Sequence, residues 1–229
     1  MISAIVLAAG ESRRMGVPKA LLRFPHGASG PARLFESTMG QDVSCGDARP
    51  TKSSNTTFLE QIVSVLQQSE VDGVAVVLGA QAARIRASTD LSGVDVVVNE
   101  GYRKGQLSSL IAGLKSLPSQ TEAILLCLVD NPLITGVTVN CVVRAFRETG
   151  KPIVIPVFEG RRGHPALFAR AMFDELLNAP ADEGARHVVQ SHQDQVFEVD
   201  VSEPAILARI DTPEEYLSRF GMAPRIIER

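Results

Sequence analysis

Short apolar runs alternate with longer amphipathic ones along this chain. Residues 2–7 (ISAIVL) predict a strand. Residues 58–69 (FLEQIVSVLQQS) place apolar side chains at Phe58, Leu59, Ile62, Val65 and Leu66, the spacing of a helix. The alternation continues with strand 73–78, helix 80–87, strand 94–98, helix 108–117 stopped by Pro118, and strand 123–129. Helix 137–149 ends at Gly150, and strand 152–157, helix 169–177, strand 195–201 and helix 213–220 complete the series. The run AILLCLV at 123–129 is apolar throughout, as expected of a central strand buried on both faces. This order predicts an α/β fold, doubly wound around a mainly parallel central sheet, as one domain over 1–229.

Residues 26–57 break the pattern. They are rich in Gly, Ser, Thr, Asp and Pro and have almost no apolar periodicity. A structureless loop of that length is uncommon inside a compact domain, so the stretch reads as a partly mobile insertion. A lid or an oligomer contact is the alternative.

Composition narrows the function. With 23 basic and 26 acidic residues the net charge is −3, so no global positive field recruits nucleic acid, and any anion binding is local. Three cysteines, Cys45, Cys127 and Cys141, share no zinc-type spacing. Their odd number points to reduced thiols and a cytoplasmic location, with Cys127 in the core. The first apolar segment is too short for a signal sequence, and no apolar run reaches ~18 residues, so no membrane partner is expected.

The candidate chemistry starts in the loop after the first strand, LAAGESRRMGVPK. Leu7 ends the strand. Ala8, Ala9 and Gly10 keep bulky side chains away, so backbone N–H groups can approach a ligand closely. Arg13, Arg14 and Lys19 bring positive charge to the same place, and arginine suits bidentate phosphate contact. The loop matches neither G-x-x-x-x-G-K-[ST] nor G-x-G-x-x-G. A tight turn with solvated basic residues is the plainer reading.

The whole string LAAGESRRMGVPKALL closely resembles the L-A-x-G-x-x-x-R-M-G-x-x-K signature of the MobA-like NTP transferases. The resemblance implies a Rossmann-like nucleotidyltransferase fold of the nucleotide-diphospho-sugar-transferase type. Ala8-Ala9 stands where the guanylyl enzymes usually show Gly-Gly, and so looks more like the molybdenum-cofactor cytidylyltransferase branch. In GYRKGQLSSLIAGL, Ser108 and Ser109 sit at a predicted helix start, as helix caps or as the family's second nucleotide-contacting segment. The Gly79-Ala80 turn occupies another base-contacting position of these folds.

LLCLVDNPLI places Asp130 just past a buried strand, as a turn cap or as a ligand for Mg²⁺, which favours one or two carboxylates plus substrate phosphates. The family has an Asp there, usually followed by Gln-Pro or Met-Pro; here Asn131 follows, a departure from that pattern. The string EGRRGHPALF resembles an acceptor-side segment of the cytidylyltransferase branch, implicating Arg162, Gly163 and His164 in acceptor binding. GARH at 184–187 reads as a short helix start facing the same cleft. In ARIDTPEEY, Asp211 or Thr212 can cap a helix, and the resemblance makes Asp211 a second Mg²⁺ ligand.

The resemblance implies transfer of a nucleotide, CMP from CTP favoured, to a phosphate-bearing acceptor, favoured to be the molybdopterin cofactor. It implies Lys19, Arg13 and Asp130 as the catalytic residues. It implies that Leu7, Ala8, Ala9, Gly10, Arg14, Gly79, Ser108 and Ser109 seat the nucleotide. The alternatives are transfer to a sugar or alcohol phosphate, and a non-catalytic nucleotide-binding protein that delivers cofactor to a molybdoenzyme client.

Overall fold

The computed structural model describes residues 1–25 and 56–228. Most of the predicted insertion lies outside the described residues. Its last two positions, Thr56 and Thr57, form a short strand, and Thr57 caps the following helix.

The sheet is built from the predicted apolar runs. β1 (Ile2–Ala8) is buried along its whole length and leads through the short antiparallel pair β2 (Arg23–Phe24) and β3 (Thr56–Thr57) to α1 (Phe58–Gln67). β4 (Gly73–Leu78), α2 (Ala82–Ser88), β5 (Asp95–Val98), α3 (Gln106–Ser116) and β6 (Ala123–Leu128) follow in alternation. Next come α4 (Gly136–Thr149), β7 (Ile153–Phe158), β8 (Arg161–Arg162) and β9 (Ala166–Ala169). The chain finishes with α5 (Phe173–Asn178), α6 (Ala185–Ser191), β10 (Val196–Asp200) and α7 (Pro213–Phe220).

The eight-stranded sheet runs β10-β7-β9-β6-β1-β4-β5, with β8 paired to β7. All its pairings are parallel except those of β9 with β6 and β7 and of β8 with β7. β9 is a departure from the sequence pattern. The run ALFA fills an antiparallel slot in the sheet, and the helix expected over 169–177 starts only at Phe173, after a 3₁₀ turn at Arg170–Met172.

Period-2 alternation sorts the side chains of each strand. Ala4, Val6, Val76, Leu125 and Cys127 face α1 and α4, while Ile5, Leu7, Val77, Leu126 and Leu128 face α3, α5 and α6. Cys127 is core as expected, and its burial pushes the thiol pKa up. No helix among the described residues is long and apolar enough to cross a membrane.

A third cluster matters most for the site. Met15, Leu22, Phe24, Phe58 and Tyr216 pack together, with Phe58 stacked on Tyr216 at 5.8 Å between ring centroids. The Tyr216 hydroxyl donates to the Arg23 carbonyl at 2.6 Å. This cluster pins the first loop and α7 to each other. Thr212 caps α7 with a full capping box, its side chain accepting from the Glu215 N–H. Thr212→Ala is expected to cost about 1 kcal/mol of stability, read as a lower urea midpoint at unchanged slope.

Candidate functional site

β4 and β6 flank β1, with Leu7 in register with Leu128 and Ala8 with Leu78. The chain leaves β1 toward β4 on one side and returns to β6 on the other. The loops after β1 and β6 therefore open a crevice at the carboxyl ends of the strands, where open α/β sheets bind ligands.

In the first loop, Ser12 takes a left-handed conformation (φ 52°), and its carbonyl accepts from Met15 and Gly16 N–H. Among the described residues, nothing takes up the N–H groups of Gly10, Glu11, Ser12 and Arg13. Such unsatisfied donors suit an anionic ligand. Lys19 opens a 3₁₀ turn whose next residues, Ala20 and Leu21, are buried, and its N–H donates to Ser12 Oγ at 3.2 Å. Its backbone is thereby fixed while the ammonium reaches into the crevice.

Two distant aspartates meet that ammonium. Lys19 Nζ is hydrogen-bonded to Asp211 Oδ1 and lies 3.6 Å from Asp130 Oδ2. The Lys19, Asp130 and Asp211 side chains are all only 11–12% exposed. Arg209 Nη2 lies 2.8 Å from Asp130 Oδ2 and 3.6 Å from Asp211 Oδ2, and Arg14 reaches Asp211 at 3.0 Å. Two carboxylates thus share three cations.

Local hydrogen bonds explain the arrangement. Thr212, not Asp211, caps α7, its hydroxyl accepting the Glu215 N–H, so the Asp211 side chain is left to Lys19; the Glu215 carboxylate accepts the Asp211 N–H at 2.5 Å. Ile210 N–H donates to the Asp130 carbonyl at 2.8 Å, and Asn131 Nδ2 donates to the Ile206 carbonyl at 3.1 Å. Asn131 therefore ties the 206–211 segment to the end of β6, which gives the amide a positional role.

Burial pushes the Asp211 carboxyl pKa up, but the Lys19 hydrogen bond and charge, with Arg209 and Arg14, outweigh it and hold it below the ordinary aspartate value. Burial works against the Arg209 cation, yet Asp130, Asp211 and Glu215 leave its pKa raised.

Two cavities share the wall that bears Arg209. The smaller, 280 Å³, is lined by Leu7, Ala8, Ala9, Gly10, Lys19, Ser109 and Asp130 of the predicted set. The larger, 770 Å³, holds the predicted acceptor residues Arg162, Gly163 and His164 on its wall. Its floor is apolar, with Leu110, Leu126, Ile155 and Phe168. The α3 N-terminus, at Gly105 and Gln106, faces both cavities.

Other predicted residues stand back from the cavities. Arg13 is exposed and paired with Glu11 at 2.5 Å, and Asp211 and Arg14 reach the site through the ion pairs above. Ser108 Oγ lies 2.8 Å from the Gly105 carbonyl and 3.1 Å from that of Gly101, which orders the loop before α3. Asn99, which the sequence pattern did not single out, holds that loop by donating to both Ser108 and Ser109 and accepting from the Gly101 N–H.

Gly79 sits behind the first loop. A Cβ there would lie 2.6 Å from Tyr102 Cβ and 2.8 Å from the Ala9 carbonyl oxygen. Gly79→Ala is expected to displace the Ala9 backbone and destabilise the protein by about 1–3 kcal/mol, checked by chemical denaturation. Gly163 is equally confined, with the Ile206 carbonyl 2.6 Å from its missing Cβ. His164 Nδ1 is buried with no hydrogen-bond partner among the described residues. Burial pushes the His164 pKa down, against the pull of Asp130, and Arg209 reinforces the shift.

Arg209 is a second site residue that the sequence reading missed. It occupies an unremarkable position in ARID, 79 residues from the aspartate it binds.

The model of the MobA-like NTP transferase domain matches residues 4–196, and the chain belongs to that family of nucleotidyltransferases. It is 28% identical over 186 residues to a protein of Mycobacterium avium named probable molybdenum cofactor guanylyltransferase, covering 81% of this chain and 77% of that one. It is 24% identical over 226 residues to nicotine blue oxidoreductase of Paenarthrobacter nicotinovorans, covering 93% and 94%. Among solved structures, Rv0371c of Mycobacterium tuberculosis superposes with a TM-score of 0.73 at 26% identity, over 96% of this chain and 98% of that one. The same protein in complex with manganese gives 0.70 at 25% identity, over 97% and 99%.

Proposed function

We propose that this MobA-like NTP transferase moves a nucleoside monophosphate from an NTP to a phosphate-bearing acceptor and releases pyrophosphate. The convergence of Lys19, Asp130, Asp211 and Arg209 beside the smaller cavity, with Arg209 on the wall that it shares with the larger one, carries the reading. The donor triphosphate would occupy the smaller cavity, under the free N–H groups of the first loop, and the acceptor the larger one. An acceptor phosphate is already ionised at neutral pH, so no general base is needed. The protein contributes positioning and charge neutralisation.

The residues present fit a divalent cation. Asp130 Oδ1 is buried without a hydrogen-bond partner among the described residues, and Asp130 and Asp211 share the same cations. No group of three or more His, Cys, Asp or Glu side chains among the described residues is placed to hold a metal unaided. Two carboxylates plus substrate phosphates form the donor set that Mg²⁺ favours. Asp130 and Asp211 would hold the ion, which supplies charge stabilisation at the phosphates. Lys19 would then turn from the carboxylates to the triphosphate.

CTP is the favoured donor, on Ala8-Ala9 and the R-G-H-P string. The mycobacterial relative named for guanylyl transfer makes GTP the direct competitor, and its name supports a molybdenum-cofactor acceptor. The 770 Å³ cavity with its apolar floor suits a ring system better than a small sugar phosphate.

Pyrophosphate release, measured for each NTP with molybdopterin cofactor and with sugar phosphates, tests this reading. Release with CTP and molybdopterin cofactor is the expected result. Release only with GTP would overturn the donor assignment. Nucleotide binding without release from any pair would overturn transfer, and would favour a delivery role or redox chemistry like that in the Paenarthrobacter relative's name.

A further inference from the structure

Five residues line both cavities: Leu7, Gly105, Gln106, Leu128 and Arg209. Arg209 alone among them is charged. Its backbone is held on both sides, since Ala208 and Ile210 are buried and Ile210 N–H binds the Asp130 carbonyl. Its guanidinium is hydrogen-bonded to Asp130 through Nη2 alone. The Nε and Nη1 donors have no hydrogen-bond partner among the described residues, and the side chain is half exposed toward the cavities. An arginine so placed can keep one edge on a carboxylate and offer the other to a phosphate.

Resting on the transferase reading above, we propose that Arg209 is a further catalytic residue, which holds the acceptor phosphate against the donor's α-phosphate where the two cavities meet. Two anions must come within bonding distance there, and Arg209 is the one cation on the shared wall. In the step it serves, an oxygen of the acceptor phosphate bonds to the α-phosphorus. The bond from the α-phosphorus to the oxygen bridging to the β-phosphate breaks, and its electron pair leaves with pyrophosphate. No proton is transferred, because the attacking oxygen is already anionic. Asp130 orients the guanidinium, and Asn131 and Ile210 keep the segment bearing it beside β6.

Arg209→Ala and Arg209→Lys test the proposal against the wild-type enzyme. With an active donor–acceptor pair, Arg209→Ala is expected to lower kcat/KM for the acceptor about 100-fold. Affinity for the metal–nucleotide, titrated separately, is expected to stay within about threefold of wild type. Arg209→Lys keeps the charge but loses the fork, and is expected to recover only part of the loss.

A turnover-independent arm uses inorganic phosphate as the acceptor probe, titrated into protein saturated with Mg²⁺ and a non-hydrolysable analogue of the nucleotide it binds. Phosphate is expected to bind Arg209→Ala at least tenfold more weakly than wild type. A folded Arg209→Ala protein with unchanged acceptor kcat/KM and unchanged phosphate binding overturns the role of Arg209 and leaves the transferase reading intact. A wild-type enzyme that releases no pyrophosphate overturns the transferase reading. In that case, weakened phosphate binding by Arg209→Ala still supports an anion contact at this wall, and unchanged binding removes it.

Discussion

Asp130→Ala is expected to retain the fold and lose most turnover, by a factor of 100 to 1,000, corresponding to ~3–4 kcal/mol of barrier. The fold is spared because the carboxylate is not a packing element. Its Oδ1 is buried without a hydrogen-bond partner among the described residues, and Lys19 and Arg209 both retain Asp211 as a counter-ion. Removing Asp130 therefore relieves a desolvation cost while it deletes one of two carboxylates for the metal–triphosphate. Circular dichroism and a denaturation curve establish folding, and pyrophosphate release gives the rate. A folded variant with near-normal turnover would remove Asp130 from the mechanism.

Lys19→Ala is expected to act on stability and rate together. The Lys19 ammonium sits between two mostly buried carboxylates, and breaking a buried ion pair costs about 3–5 kcal/mol. Arg209 and Arg14 remain near Asp211, so the observed loss belongs at the lower end of that range. A divalent cation can replace the missing charge. Mg²⁺ is thus expected to raise the Tm of Lys19→Ala more than that of wild type, without restoring turnover, because the triphosphate has lost its cation. Equal Mg²⁺ responses in the two proteins would show that Lys19 and the metal do not compete for the same carboxylates.

The central sheet was legible because β1, β4 and β6 are uninterrupted apolar runs, and burial on both faces demands that pattern. β9 was not. ALFA is four residues long, and nothing local separates a buried antiparallel strand from the first turn of the helix that follows. The loop before α3 shows the same limit: Ser108 and Ser109 were visible as a helix start, but Asn99, which organises them, acts from the end of a different strand.

At the site, the letters identified Lys19, Asp130 and Asp211 through motif resemblance, and the fold brings all three together. The division of labour within ARIDTPEEY is a matter of geometry. Thr212 caps α7 because its hydroxyl accepts the Glu215 N–H, which leaves the Asp211 carboxylate to Lys19. Gly79 and Gly163 were visible as glycines near ligand loops, but their steric reasons, Ala9 with Tyr102 and Ile206, lie in other segments. Arg209 carries no local signature, since its meaning depends on a wall between cavities that exists only after folding.

A crystal structure with Mn²⁺ and a non-hydrolysable NTP analogue tests the central claim most directly, because the anomalous signal of manganese locates the ion without assumption. The account predicts the manganese between the Asp130 and Asp211 carboxylates and the triphosphate, with the first loop's N–H groups and Lys19 on the phosphates. Manganese and nucleotide bound away from the aspartates, with Lys19 still paired to Asp211, would contradict it.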